Sequence, residues 1–241
     1  MNKLSVIIPA YKEEHRIGAT LLAIHNYLSR QPYQSEILVV VDGSPDKTAE
    51  VVESYRAKIA NLKVFNNQQN RGKGWVVRQG MLAAEGDFRL FTDADNSTSI
   101  EQVAKLLPYV AQQGYDIAIG SIEVPGAEVH EHAQWYRRWV GHLVKYLIRF
   151  VLNLWNIRDT QRGFKLFSAA AATAVFSRAK VSRFGFDFEI LAVAKRLGLK
   201  VREVPVVWNN AGESTVNLNS YFATFRDLLQ VRWNLWSGRY R

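Results

Sequence analysis

Phe88-Arg89-Leu90-Phe91-Thr92-Asp93-Ala94-Asp95-Asn96-Ser97 is an apolar run that ends abruptly in two carboxylates. That pattern predicts a buried strand carrying charge to its own C-terminal edge, the edge at which open α/β sheets bind ligands. Asp93 and Asp95, one residue apart, can offer oxygen ligands to a hard divalent cation, Mg²⁺ or Mn²⁺, whose other positions go to substrate phosphates. The same residues also describe a strand running into an Asx-type turn, so the choice rests on partners elsewhere in the chain.

The 241 residues are 48% hydrophobic and 22% charged, the balance of a globular protein with a sizeable core rather than a disordered chain. Thirty-one basic residues against 22 acidic leave a net charge of +9, which attracts anionic partners: nucleic acid, an acidic membrane surface or phosphorylated substrates. No RRM, KH or helix-turn-helix signature supports nucleic acid. The absence of cysteine rules out disulfides and thiolate metal sites and fits a reducing compartment. Met1-Asn2-Lys3 leads straight into a strand-like run, so no signal peptide is expected, and no window is apolar for long enough to span a bilayer.

Outward from the acidic stretch, Leu4 to Ile8 reads as a first buried strand, with Tyr11-Lys12-Glu13-Glu14 opening a helix. Glu36 to Val41 is a second strand, turned by Asp42-Gly43-Ser44-Pro45-Asp46 into a helix that Asp46 caps and that runs to about Lys58. Leu62 to Phe65 is a third strand, Asn70-Arg71-Gly72-Lys73-Gly74 a turn, and Trp75 to Ala84 a helix. Beyond Ser97 come a helix near Ile100 to Gln113 and a strand at Ile117 to Gly120. This β-α alternation predicts a mostly parallel central sheet with helices on both faces. Ser121 to His132 reads as an irregular solvated loop, in which His130 and His132 are better taken as loop residues than as a metal pair.

Two later segments are amphipathic. Arg138, His142, Lys145, Arg149 and Asn153 form a narrow polar stripe on a helix from about 138 to 155 whose other positions are largely apolar. From Tyr221 to Trp236, Phe222, Phe225, Leu229, Trp233 and Trp236 share one face, with Arg226, Gln230 and Asn234 opposite. Such helices suit either a core or dimer contact or a membrane interface with cations at headgroup phosphates.

Taken in order, Val6-Ile7-Ile8-Pro9-Ala10-Tyr11-Lys12-Glu13-Glu14, Val41-Asp42-Gly43-Ser44, Asn70-Arg71-Gly72-Lys73-Gly74, Asp93-Ala94-Asp95, Arg158-Asp159-Thr160-Gln161-Arg162-Gly163-Phe164-Lys165-Leu166-Phe167 and Phe186-Asp187-Phe188-Glu189 resemble the family-2 glycosyltransferases of GT-A fold, a Rossmann-like architecture. The likeness is to the group acting on polyprenyl or dolichyl phosphate, and the Asp159 to Phe167 run looks like its glucosyl branch more than its mannosyl branch. The resemblance implies one domain over 1–241, with 1–120 binding a nucleotide-diphosphate sugar and 121–241 carrying the acceptor side and the amphipathic helices near 138–155 and 221–236. Pro9, Tyr11, Glu13, Asp42, Lys73, Asp93 and Ala94 would bind the nucleotide sugar, Asp42 accepting from a base N–H. Asp95 with Asp93 would hold Mg²⁺ or Mn²⁺, and Asp159, Gln161, Lys165, Asp187 and Glu189 would form the catalytic side. Lys73 lacks the Ser or Thr of a Walker A loop, which disfavours an ATPase.

The implied reaction is inverting transfer of a hexose, glucose from UDP-glucose, to a polyprenyl monophosphate. GDP-mannose as donor and a catalytically weak binding subunit are the alternatives. Arg137 and Arg138 would clamp the acceptor phosphate, and Asp187 or Glu189 would act as general base were the acceptor a neutral hydroxyl. A peripheral position on the cytoplasmic face of a membrane follows from the amphipathic helices, with a homodimer left open. Three positions depart from the family: Val41 stands for a first Asp, Ile122 for an arginine and Thr215 for a lysine, so two cations expected near the diphosphate are missing.

Overall fold

The computed structural model describes residues 3–130, 135–209 and 218–241, with the backbone alone at 135–140, 142 and 218–221. In chain order the elements are β1 (Lys3–Ala10), α1 (Ile17–Leu28), β2 (Gln34–Asp42), α2 (Thr48–Ser54), β3 (Leu62–Asn67), α3 (Lys73–Ala83), β4 (Phe88–Thr92), a 3₁₀ turn (Ile100–Gln102) running into α4 (Val103–Ala111), β5 (Ile117–Ser121), β6 (Glu128–His130), α5 (Trp135–Val151), β7 (Phe164–Ser168), α6 (Ala169–Phe176), α7 (Phe186–Arg196), β8 (Val201–Pro205), β9 (Val207–Asn209) and α8 (Leu218–Trp236). Seven strands make one sheet in the order β3-β2-β1-β4-β7-β5-β8, and β6 pairs with β9 alongside. Every pairing in the large sheet is parallel except those of β7, which runs antiparallel to both β4 and β5.

Both faces of the sheet are covered, which is why its central strands are near-continuous apolar runs. Alternate residues of each strand serve opposite cores. Val6, Ile8, Ile37, Val39, Leu90 and Leu166 pack toward α1, α2 and α4. Ile7, Leu38, Phe91 and Phe167 pack toward α3, α6 and α7, where Phe91, Phe167 and Phe176 form a ring cluster with centroids 5.3 to 6.5 Å apart.

Several boundaries differ from the expectation, each for a local reason. Tyr11 to Glu14 does not open a helix, because the Lys12 and Glu13 amides are taken by Ser44 Oγ and Thr48 Oγ1, both at 2.8 Å, and Lys12 adopts a positive φ of 59°. Hydrogen bonds to the neighbouring loop thus replace a first helical turn, and α1 starts at Ile17. Asp46 does hold the start of α2 through the Thr48 amide at 3.1 Å, but the α-helix ends at Ser54. The stretch after Ser121 is not wholly irregular, since β9 recruits Glu128–His130 as a parallel partner. His132 and Thr215 lie outside the described residues.

The two amphipathic helices form with their apolar faces outward. In α5, Lys145 turns back to Glu123 at 2.5 Å and Arg149 donates to the Trp155 carbonyl at 3.0 Å, while Leu143, Tyr146, Leu147 and Phe150 are exposed. In α8, Phe222, Phe225, Leu229, Trp233 and Trp236 are exposed, and Asp227, Leu228, Val231 and Asn234 face inward. Asn234, opposite the aromatic face, is buried and donates to the Tyr240 hydroxyl. Among the described residues no helix is long and apolar enough to cross a membrane.

At the strand N-termini, far from the acidic stretch, the buried Glu36 carboxylate accepts from Ser5 Oγ at 2.6 Å and the Glu85 amide at 2.8 Å, and pairs with Lys63 at 2.8 Å and Lys3 at 3.2 Å. Burial alone would push this carboxyl up, but Lys63, Ser5, the Glu85 amide and Lys3 outweigh it and bring it down from 4.5 to about 2. A folded value below the unfolded one means the stabilisation is present above 4.5 and disappears as pH falls towards 2. It amounts to about 3 kcal/mol at neutral pH. Urea unfolding of wild type and Glu36→Gln should therefore show a stability gap at neutral pH that closes on acidification. A gap independent of pH would contradict this.

Candidate active site

The C-terminal edges of β1, β2 and β4 and the N-terminal edge of the reversed β7 meet at one side of the sheet, so one rim collects residues far apart in sequence. Asp93 follows β4 and pairs with Lys73, the first residue of α3, at 2.6 Å between Nζ and Oδ1. Gly163 lies against the same carboxylate: a Cβ there would run into the Asp93 oxygens, so glycine is what lets the β7 approach close over Asp93. Asp95 Oδ1 accepts from the Ser97 amide at 2.9 Å in the Asx turn weighed above, and its second oxygen takes no hydrogen bond among the described residues. The Ala94 carbonyl between them is pinned by Thr20 Oγ1 at 2.7 Å, which ties this loop to α1.

Lys165 is not a surface lysine. It is 0% exposed in β7, opposite Phe91 and Ile119 in the register, with Nζ 2.5 Å from Asp187 Oδ1 and donating to the Arg162 carbonyl. Its ammonium also lies 5.3 Å from the Phe91 ring centre. Asp187, in the first turn of α7, is therefore a buried ion-pair partner rather than a helix cap. Burial pushes the Asp187 carboxyl up, against the pull of Lys165 and Lys73. Burial opposes the Lys73 charge as well, yet Asp93, Asp187 and Asp95 hold its ammonium above the ordinary value. Lys73, Asp93, Lys165 and Asp187 thus form a compact set of alternating charges.

The donor-side residues are placed as follows. Pro9 is the penultimate residue of β1, opposite Val40, and Tyr11 is exposed just beyond the strand. Glu13 caps α1 through its carbonyl, which accepts from the Arg16 and Ile17 amides, while its carboxylate pairs with Arg16. Asp42, expected to accept from a base, is 3% exposed and accepts from the Arg71 amide at 2.7 Å and the Gly72 amide at 2.8 Å. It thereby holds the turn that delivers Lys73. Gly72 sits at φ 101°, where a Cβ would strike the Ser182 carbonyl, and the Trp75 amide donates to that carbonyl at 3.1 Å.

Two carboxylates expected on the catalytic side are fully buried and bonded within the protein. Glu189 is 0% exposed and accepts from the Lys180 and Val181 amides, both at 2.9 Å, and from the Tyr240 hydroxyl at 2.6 Å. It ties Tyr240 and the 180–181 backbone to α7. Asp159 is likewise 0% exposed, accepting from the Ile122 amide at 3.1 Å with Arg162 Nε 3.5 Å away. Gln161 lies beside it, half-buried, its amide 3.5 Å from Asp159 Oδ1. Val41 is buried within β2. The side chains of Arg137 and Arg138 lie outside the described residues.

Sequence reading missed Thr20, Arg16 and Trp208. Arg16 stands near enough to Asp95 and Asp93 to be charged more firmly by them, after Glu13. Trp208 in β9 stacks on the Arg162 guanidinium, its ring centre 4.3 Å from Cζ. The apolar run Val204 to Trp208 was the available signal.

Removing one partner of a buried pair strands the other charge, at a cost of about 3–5 kcal/mol. Lys165→Met should therefore lose about that much in urea unfolding, and adding Asp187→Leu should restore most of it. Losses that simply add in the double variant would show that the pair is not coupled.

Residues 5–176 match the family model described as Glycosyl transferase family 2. A dolichyl-phosphate beta-glucosyltransferase of Trichomonas vaginalis is 33% identical over 254 residues, covering 99% of this chain and 76% of that protein. The dolichyl-phosphate beta-glucosyltransferase of Mus musculus is 33% identical, with 99% and 78% covered. Among solved structures, glucosyl-3-phosphoglycerate synthase from Mycobacterium tuberculosis with Mn²⁺, UDP-glucose and phosphoglyceric acid has the same fold, with a TM-score of 0.70 at 18% identity over 96% of this chain and 80% of the other. The family match spans well over half of the sequence and the relatives nearly all of it: this chain belongs to glycosyl transferase family 2.

Proposed function

We propose that this chain transfers glucose from UDP-glucose to a polyprenyl monophosphate, with inversion, at the cytoplasmic face of a membrane. The observation that carries the reading is likeness along 99% of the chain to proteins named dolichyl-phosphate beta-glucosyltransferase, combined with a sheet edge where carboxylates and lysines alternate. In the reaction the bond from the anomeric carbon to the diphosphate breaks, and one to an acceptor phosphate oxygen forms on the opposite face. A phosphate monoester, with a second pKa of about 6, is already anionic at neutral pH. It requires alignment rather than deprotonation, which agrees with the burial of Glu189.

Asp95 fits a divalent cation, Mg²⁺ or Mn²⁺, because its second oxygen takes no hydrogen bond among the described residues. Asp93 is committed to Lys73, and among the described residues no cluster of three or more His, Asp or Glu side chains converges, so such an ion would share its remaining positions with the diphosphate. A bound ion would supply positive charge against the leaving group. Lys73 stands ready to do the same from α3. The expectation is that Asp95→Asn weakens UDP-glucose binding in Mn²⁺ at least tenfold while leaving thermal stability unchanged. Unaltered Mn²⁺-dependent affinity would remove Asp95 from this role. Side by side, UDP-glucose should turn over faster than GDP-mannose on a short polyprenyl phosphate; equal or faster GDP-mannose turnover would overturn the donor assignment.

Membrane attachment is supported by the outward aromatic faces of α5 and α8, with the exposed Arg226 and Arg232 on α8 and Arg239 just beyond it. Each such cation contributes about 1 kcal/mol near an anionic surface. Deleting α8 would not test this, since Leu228 and Val231 belong to the core. Serine at Phe222, Phe225, Trp233 and Trp236 changes only exposed side chains. Wild type should float with anionic vesicles and this variant should float less. Wild type that stays in the soluble fraction with every lipid mixture would exclude the peripheral assignment.

A further inference from the structure

Four of the cations at the site rim already have a carboxylate or an aromatic partner that accounts for them. Lys73 is on Asp93, Lys165 on Asp187, Arg16 on Glu13, and Arg71 lies exposed over the Trp75 ring. Arg162 is different. Its side chain is 23% exposed and is fixed from two sides, by Trp208 stacked on the guanidinium and by Asp159 Oδ2, 3.5 Å from Nε. Its two terminal nitrogens have no acceptor among the described residues.

Its position is set by the loops that carry the acidic pair. Gly163, the next residue, lies against the Asp93 carboxylate. Asn209, next to Trp208, donates to the Ser97 carbonyl at 2.8 Å, two residues beyond Asp95. The guanidinium is thus bracketed by the segments that hold Asp93 and Asp95. An arginine held over an indole ring, with one edge near a carboxylate and its outer fork unused, is pre-ordered for a group with two oxygens in one plane. The carboxylates nearby make the preferred ligand an anion that brings its own cation or reaches past them to the fork.

We propose that Arg162, held by Trp208 and Asp159, is a further binding residue of this site, gripping a phosphate oxyanion of a substrate through its terminal nitrogens. The inference rests on the glycosyl-transfer reading above. Trp208 and Asp159 are positioning residues in it, and Arg162 makes the contact. The oxyanion belongs either to the diphosphate of the nucleotide sugar or to the acceptor monophosphate; the chemistry of the grip is the same for both.

The test measures kcat, the KM of UDP-glucose, the KM of a short polyprenyl phosphate, and calorimetric binding of UDP with Mn²⁺, for wild type, Arg162→Met, Arg162→Lys, Trp208→Leu and Trp208→Phe. Circular dichroism and thermal midpoints confirm that each variant is folded. Arg162→Met should lower kcat/KM about a hundredfold, the scale for losing one preorganised donor group at an oxyanion. Arg162→Lys should recover part of it, since the charge returns without the fork. Trp208→Leu should lose about tenfold and Trp208→Phe little, because a phenyl ring still stacks. Weaker UDP binding with an unchanged acceptor KM assigns the grip to the donor diphosphate, and a raised acceptor KM with unchanged UDP binding assigns it to the acceptor. A folded Arg162→Met whose constants all lie within twofold of an active wild type overturns this inference alone. A wild type that neither binds UDP nor turns over any donor overturns the glycosyl-transfer reading and this inference with it.

Discussion

Lys165 sits inside the large sheet with no exposure, in β7, which runs against both its neighbours. An ammonium in that position is tolerated only with a carboxylate and a second acceptor at hand, and Asp187 and the Arg162 carbonyl are those groups. The pairing has consequences in both directions along the chain. Toward α7 it fixes the first turn, where the Gly185 amide is further held by Asp227 of α8. Toward the strand start it draws the 162–163 turn in until the Gly163 backbone rests on Asp93. A parallel strand here would bring its other end to this rim. The reversal of β7 is what places its N-terminal residues beside the C-termini of β1, β2 and β4.

The parallel half of the fold was legible because its signals are local: apolar runs of strand length, each closed by Pro9, Asp42 or Asp93, and each followed by a helix-length segment. The charged rim was legible too, as motifs in order. What could not be read was which carboxylates face solvent. Asp93, Asp159, Asp187 and Glu189 look alike in sequence, yet Glu189 is consumed by amides nine and eight residues away and by a hydroxyl at the chain end, whereas Asp93 meets a lysine from another crossover. Hydrogen bonds between remote segments decide that, and no periodicity carries them. The same holds at Tyr11 to Glu14, where an acidic helix start was expected and the side chains of Ser44 and of Thr48 at the start of α2 captured the amides instead.

Helices α5 and α8 invert the usual arrangement of a surface helix, with aromatic rings outside and polar side chains, Lys145 and Arg149 of α5 and Asp227 and Asn234 of α8, turned toward the protein. Periodicity identified their apolar faces and could not say which way those faces turn. The inner face of α8 answers it: Asp227 bonds Gly185 and Asn234 bonds Tyr240, so these two polar residues have buried partners and the rings are left outward. A single element therefore has an outer face suited to a lipid surface and an inner face that braces the turn bearing Asp187. The substrates inferred for this chain, one soluble and one anchored in lipid, would meet at such a junction.

The central claim is that the rim around Asp93, Asp95 and Lys73 is one site for a nucleotide diphosphate and its metal. Crystals grown with UDP and Mn²⁺ test it directly through the anomalous signal of manganese. The account predicts a peak beside Asp95 with the diphosphate between it and the Lys73 side chain. Ordered UDP elsewhere on the protein, with this rim empty, would contradict it.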